Sequence, residues 1–272
     1  MSDAMDQLLD VMQRLRDPNS GCPWDIKQTY ASLAKYVLEE SYEVIETIEQ
    51  NDTTHLCEEL GDLLLQIVFL SQIAKENQHF TFDDVARGEA EKMIERHPHV
   101  FGNRTGVDNA EKVLQNWEKD KLEKRQQAAL EAQEKHSLLD DISTALPAML
   151  RAVKLQKRMA QGGFDWPRNG NEIDANVIAK IHEELDELGC EINKGAENKD
   201  RIASELGDVL FAIINLSRHL RIDPEEALRH TNRKVERRFR YIEDQLDSQG
   251  RRIEESSLSE MESLWQKAKQ DE

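Results

Sequence analysis

The sequence predicts an all-α protein built from two homologous helical domains joined by a charged linker. Three observations carry that prediction. Hydrophobic residues make up 38% of the 272-residue chain and charged residues 33%, with only 12 Gly and 6 Pro. That balance suits helices with broad solvated faces better than strands and tight turns. Apolar residues recur at helical spacing in several stretches, and one pair of acidic motifs occurs twice in the same order, the mark of an internal repeat.

The elements follow in order. Met5, Leu8, Leu9, Met12 and Leu15 give the N-terminal segment one apolar face, which predicts an amphipathic helix and not a signal peptide. Val37, Tyr42, Val44, Ile45 and Ile48 mark a second helix, broken at Asn51-Asp52. Leu56, Leu60, Leu63, Leu64, Ile67 and Leu70 mark a third. The second half repeats the plan. Leu146-Pro147 opens it, with Pro suited to a first helical turn. Ile178, Ile181, Leu185, Leu188 and Ile192 recur at steps of 3, 4, 3 and 4, one face of a helix. Asn193-Lys194-Gly195 breaks the chain before Ile202, Leu206, Val209, Ile213 and Leu220, so the two helices are expected to fold back antiparallel. Asp223-Pro224 then starts another helix, with Asp as N-cap and Pro at the first position.

The repeat is specific. Glu40-Ser41-Tyr42-Glu43 matches Glu184-Leu185-Asp186-Glu187 at an offset of 144 residues, and Glu59-Leu60-Gly61-Asp62 matches Glu205-Leu206-Gly207-Asp208 at 146. Trp24 pairs with Trp166, Lys92-Met93-Ile94-Glu95-Arg96 with Arg233-Lys234-Val235-Glu236-Arg237, and Trp117 with Trp265. These landmarks divide the chain into an N-terminal domain over 1–118, a linker rich in Lys, Glu, Gln and Ala over 119–141, and a C-terminal domain over 142–272.

Composition narrows the function. A formal charge of −18 opposes binding to nucleic acid or an anionic membrane but attracts metal cations. Cys22, Cys57 and Cys190 are odd in number and form no Cys-x-x-Cys, so neither a disulfide framework nor a zinc site is indicated and a reducing cytoplasm fits. The longest apolar stretch, Leu63 to Leu70, is interrupted by Gln66 and falls far short of the ~20 residues that span a membrane. No Gly-x-x-x-x-Gly-Lys-Ser/Thr loop and no Gly-x-Ser-x-Gly elbow occurs. A di-iron bundle needs two Glu-x-x-His motifs; one is present, Glu76 to His79, away from the acidic motifs.

The chemistry points to the acids. Glu184 and Glu187 share a helix face, as do Glu205 and Asp208, and each pair borders the apolar stripe of its helix. Packing of the stripes brings all four carboxylates to one seam, where they repel unless a cation joins them. Mg²⁺ fits, because it takes a few carboxylates, several waters and substrate phosphate oxygens; four acids suffice for one or two ions. A lone Glu-x-x-Glu in so acidic a chain usually marks a solvated face, but this pairing appears twice. Glu40, Glu43, Glu59 and Asp62 form the corresponding second candidate site. Gly61 and Gly207 stand between the acids, where close approach of a partner helix is a reason for a residue that costs roughly 1 kcal/mol in a helix.

Lys180 lies four residues before Glu184 and Arg201 four before Glu205. Arg233-Lys234-Val235-Glu236-Arg237-Arg238-Phe239-Arg240 is the densest positive cluster. Lys234, Arg237 and Arg238 suit phosphate oxygens, although pairing with Glu225, Glu226 and Glu243 explains them equally well. Glu183 and Ser204, beside the acids, join this candidate substrate-binding set. Trp166 and Trp265 suit either a core or a stacked base, with Trp265, flanked by polar residues, the better placed for a base.

These motifs resemble the MazG family of nucleoside triphosphate pyrophosphohydrolases, whose signature is Glu-x-x-Glu, a variable gap, then Glu-x-x-Asp. Gly21-Cys22-Pro23-Trp24-Asp25 and Arg96-His97-Pro98-His99-Val100-Phe101 also look like the tandem members. The resemblance covers nearly the whole chain apart from the linker. It implies four-helix-bundle-type domains that form a homodimer, Mg²⁺ (with Mn²⁺ as a substitute) at the acids, and hydrolysis of nucleoside triphosphates to monophosphate and pyrophosphate in nucleotide housecleaning. A catalytically silent metal-binding scaffold, and an enzyme narrow for dUTP or one damaged nucleotide, remain as alternatives. The C-terminal half is expected to be the main catalytic one, because Lys180 aligns with Tyr36, Arg201 with His55, and Arg237-Arg238-Phe239-Arg240 with Arg96-His97-Pro98-His99.

Overall fold

The computed structural model describes residues 3–103, 109–110, 112–113, 117, 120, 137–167 and 173–271. The boundary expected at 118 and most of the expected linker, residue 119 and residues 121–136, lie outside the described residues. Among those residues the regular elements are all helical. The chain divides into two compact units, Met1–Arg125 and Gln126–Glu272.

The first unit holds α1 (Asp3–Leu15), α2 (Pro23–Ile26), α3 (Tyr30–Gln50), α4 (Thr53–Glu76), α5 (Phe82–Arg96) and α6 (Pro98–Phe101). Local chemistry sets the ends of α3. Thr29 and Ser32 form a reciprocal capping box at its start, and Asn51, at φ 55, closes it in the left-handed region, which Asn tolerates better than most residues. Asp52 then caps α4 by accepting from the N–H groups of Thr54 and His55. So short a turn returns α4 antiparallel along α3. Pro98 lacks an N–H, and α5 ends at Arg96 before it. The core joins Met12 of α1, Leu33 of α3 and Val68, Phe69 and Ile73 of α4. Burying each of these side chains stabilises the unit by roughly 1.5–3 kcal/mol.

The second unit holds α7 (Ala148–Gln161), α8 (Ala175–Asn193), α9 (Lys199–Leu220), α10 (Pro224–Asp247) and α11 (Leu258–Gln270). Asp174 caps α8, Gly195 turns the chain at φ 105, and Asp223 caps α10 with Pro224 at its first position, as expected from the Asp-Pro step. Pro147 stands at the cap of α7 and not inside its first turn. α8 packs against α9, α7 against α9 and α10, and α10 against α11. Ile242, Leu246 and Leu264 form the core of the last pair, with Trp265 packed against it.

Two features depart from a self-contained hairpin. A Cβ added at Gly61 or Gly207 meets nothing within 4 Å, so the close approach expected at these glycines is absent among the described residues of either unit. Beside Gly207, Leu206, Leu210 and Ile213 of α9 are exposed, as are Ile178, Leu185 and Ile192 at seven-residue steps on α8. None of the described helices is long and apolar enough to cross a membrane.

Candidate active site

In the second unit the antiparallel pairing of α8 and α9 sets the acids against one another. Carboxylate oxygens of Glu184, Glu187 and Glu205 lie within 4.8 Å of each other. Glu184 is buried, at 7% exposure, Glu205 is half-buried and Glu187 is exposed. Desolvation pushes the Glu205 carboxyl above its ordinary range, and the charges of Glu187, Asp208, Glu184 and Glu191 push it further. Three hard oxygen donors this close, whose mutual repulsion a cation would relieve, are a donor set that could hold a divalent ion. The first unit repeats the cluster with Glu40, Glu43 and Glu59. There desolvation and the neighbouring acids, Asp62 and Glu43 among them, raise both Glu40 and Glu59.

A cavity of about 520 Å³ adjoins the second cluster. α7 contributes Gln156 and Met159, α8 Val177, Lys180 and Glu184, and α9 Asp208, Phe211, Ala212, Asn215 and Arg218. The segment Gly163–Trp166 closes one side. That segment is tied down by Asp165, whose carboxylate accepts from Arg218 Nη1 at 2.8 Å and lies 3.1 Å from His219 Nε2. Burial would raise the Asp165 carboxyl, but Arg218 and His219 together hold it below its usual range. Glu184 and Asp208 belong to the cavity wall, and Glu184 also belongs to the metal-type cluster.

At the matching places of the first unit stand larger side chains. At the offset of 146 Phe69 stands for Asn215, and at 144 Tyr36 stands for Lys180. Met12, on the helix that packs against α4, is buried in one cluster with Phe69, and Tyr36 packs against it. Trp24 sets its ring edge-on to Phe69 at 6.5 Å and to Tyr36 at 6.1 Å. Its counterpart Trp166 lines the cavity.

The remaining candidates from the sequence divide into groups. Lys180 pairs with Glu183 at 2.8 Å and Glu184 at 2.7 Å, and these carboxylates raise its pKa. It stands at the cavity mouth. Arg201 sits toward the turn end of the hairpin, with Glu191, Lys194 and Asn198 around a second hollow, and Ser204 is exposed on α9. Lys234, Arg237 and Arg238 lie on α10, where Arg238 covers the Trp265 ring at 5.4 Å. None of these last four lines the cavity. Trp265 packs on the α10–α11 core, whereas Trp166 takes the cavity position. Sequence reasoning passed over Gln156, Asp165, Asn215 and Arg218. The offset of 146 carried a signal for one of them, since it sets polar Asn215 against apolar Phe69.

Comparisons with known proteins bear on the same residues. A family model described as the MazG nucleotide pyrophosphohydrolase domain matches residues 28–101 and 174–242, which contain both acidic clusters. The chain is 44% identical over 268 residues to a nucleoside triphosphate pyrophosphohydrolase of Escherichia coli strain K12, covering 98% of each. It is 40% identical over 264 residues to the nucleoside triphosphate pyrophosphohydrolase/pyrophosphatase MazG of Thermotoga maritima, covering 97% of this chain and 95% of that one. It is also 43% identical over 262 residues to the Bacillus subtilis protein YabN, covering 96% of this chain and 51% of the relative.

Proposed function

The chain belongs to the MazG nucleotide pyrophosphohydrolase family, and on that premise we propose how it hydrolyses nucleoside triphosphates to nucleoside monophosphate and pyrophosphate. The reaction belongs to the second unit. One observation carries that assignment: the acidic cluster opens on a cavity of about 520 Å³, with Glu184 common to both. A cavity of that size, largely apolar with a few placed polar groups, suits a nucleoside.

Glu184, Glu187, Glu205 and Asp208 hold Mg²⁺, with Mn²⁺ a workable substitute. When bound, the metal neutralises phosphate charge and makes a coordinated water more acidic. The protein supplies the rest. Val177, Phe211 and Ala212 give the nucleoside an apolar bed, and Trp166 offers a face on which a base stacks. Lys180, at the mouth, offsets phosphate charge. Lys234, Arg237 and Arg238 counter charge on departing pyrophosphate where the phosphates extend beyond the cavity, and Glu183, Arg201, Ser204 and Trp265, also outside the cavity lining, would meet only that outer part of the substrate. Water oxygen enters the monophosphate and pyrophosphate leaves. In the first unit Glu40, Glu43, Glu59 and Asp62 form a second candidate metal site, and that unit would serve assembly or regulation.

The exposed stripes of α8 and α9 support a homodimer in which a second copy covers them and completes a four-helix bundle. A soluble cytoplasmic enzyme without nucleic-acid partners fits the charge of −18, and housecleaning of the nucleotide pool fits the activity. The test is an incubation with a nucleoside triphosphate, Mg²⁺ and ¹⁸O-water. The label should appear in the monophosphate beside unlabelled pyrophosphate. Nucleoside diphosphate and phosphate as first products would defeat the proposal.

A further inference from the structure

One acceptor in the cavity wall has no donor among the described residues. Gln156 of α7 is buried, at 3% exposure, and its amide nitrogen donates to the carbonyl oxygen of Phe211 at 2.8 Å. That bond fixes the orientation of the amide, because a flip would set oxygen against oxygen. The Oε1 atom so fixed is buried with no hydrogen-bond partner among the described residues, on a residue that lines the cavity. Buried polar atoms nearly always have partners, so an exception at a cavity calls for a ligand group.

Asn215, also in the wall, is fixed the opposite way. Its Oδ1 accepts from Arg218 Nε at 3.1 Å and Nη2 at 2.8 Å, so its amide nitrogen is the atom left to donate. Arg218 is itself locked to Asp165. The wall therefore presents one oriented acceptor and one oriented donor.

We infer that Gln156 and Asn215 read the nucleobase, Gln156 Oε1 accepting from a base N–H and Asn215 Nδ2 donating to the acceptor beside it. This rests on the proposal that the cavity takes the nucleoside. Adenine and cytosine offer an exocyclic amine next to a ring nitrogen; guanine and uracil offer a ring N–H next to a carbonyl. All four carry the required neighbouring donor and acceptor, so the pair admits every common base while rejecting one that has lost its donor. Met12 and Phe69 give the first unit no such groups.

The test is steady-state kinetics of the full chain. ATP and CTP are compared with purine riboside triphosphate and 2-pyrimidinone riboside triphosphate, which lack the exocyclic amine and add no bulk. Wild type should lose about tenfold or more in kcat/KM on amine removal, chiefly through KM, because an unpaired buried acceptor penalises the analogue. Gln156→Leu should bring the ratio to within about twofold of one by losing the advantage of the natural substrates. Gln156→Met serves the same purpose if the Leu variant melts early. Equal efficiency of wild type on both members of a pair, or an undiminished ratio in the Gln156 variants, would overturn this inference alone. Absence of pyrophosphate from every triphosphate would overturn the functional reading and this inference with it.

Discussion

The two units carry the same acids on the same helix pair and differ in what lies beside them. In the first, Met12 and Phe69 are buried together and Trp24 packs on Phe69. In the second, Gln156 stands for Met12 at the offset of 144 and Asn215 for Phe69 at 146, and both line a cavity with Trp166. The contrast separates two properties that a shared motif would otherwise join. Carboxylate clusters that could hold a cation occur in both units, whereas on the proposed function the nucleoside uses the cavity beside the second cluster. A filled core favours stability and an open one favours binding, and a duplicated domain can divide the two.

The sharpest way to break that contrast is to open the filled unit. Phe69→Asn removes a ring that is 3% exposed. Large-to-small changes of this kind cost about 3–5 kcal/mol, and an unpaired buried amide adds to the cost. Denaturant unfolding should show the loss, while turnover per folded molecule stays near wild type. Little change in stability would mean that Phe69 does not close the first unit.

The converse change closes the open unit. Gln156→Met with Asn215→Phe imports the residues of the first unit and should lower kcat/KM by about a hundredfold, roughly 2.7 kcal/mol, without lowering the melting temperature. Near-normal kinetics in a folded protein would place the nucleoside elsewhere.

A smaller effect is expected from the segment over the cavity. Asp165→Asn leaves its shape but removes the charge that Arg218 and His219 engage. KM should rise about tenfold, equivalent to ~1.4 kcal/mol, with kcat within twofold. A fall in kcat at constant KM would show that the pair acts on the chemistry and not on the segment.

What the sequence revealed and what it hid follow from the range of the interactions. Helix ends at Asn51-Asp52 and Asp223-Pro224 are set by the residues themselves, and the acids by three-residue steps on one helix, so both were legible. The cavity is made by side chains from three helices and the Gly163–Trp166 segment, and its polar wall residues Asn215 and Gln156 stand where the first unit has Phe69 and Met12. Helical periodicity sees apolar stripes and is silent on missing volume. That Trp166 lines the cavity while Trp265 packs on the α10–α11 core was hidden for the same reason. Alignment of the halves does reveal Lys180 opposite Tyr36 and Asn215 opposite Phe69.

The central claim is that equal acids do unequal work. Its most direct test is pyrophosphate release, at saturating Mg²⁺ and over a range of nucleoside triphosphate concentrations, by two matched double variants. Glu184→Gln with Asp208→Asn should lower kcat/KM by about a thousandfold, a loss of ~4 kcal/mol in transition-state stabilisation. Glu40→Gln with Asp62→Asn should stay within about threefold of wild type in the folded protein. Loss of activity in the second variant with retention in the first would contradict the account outright.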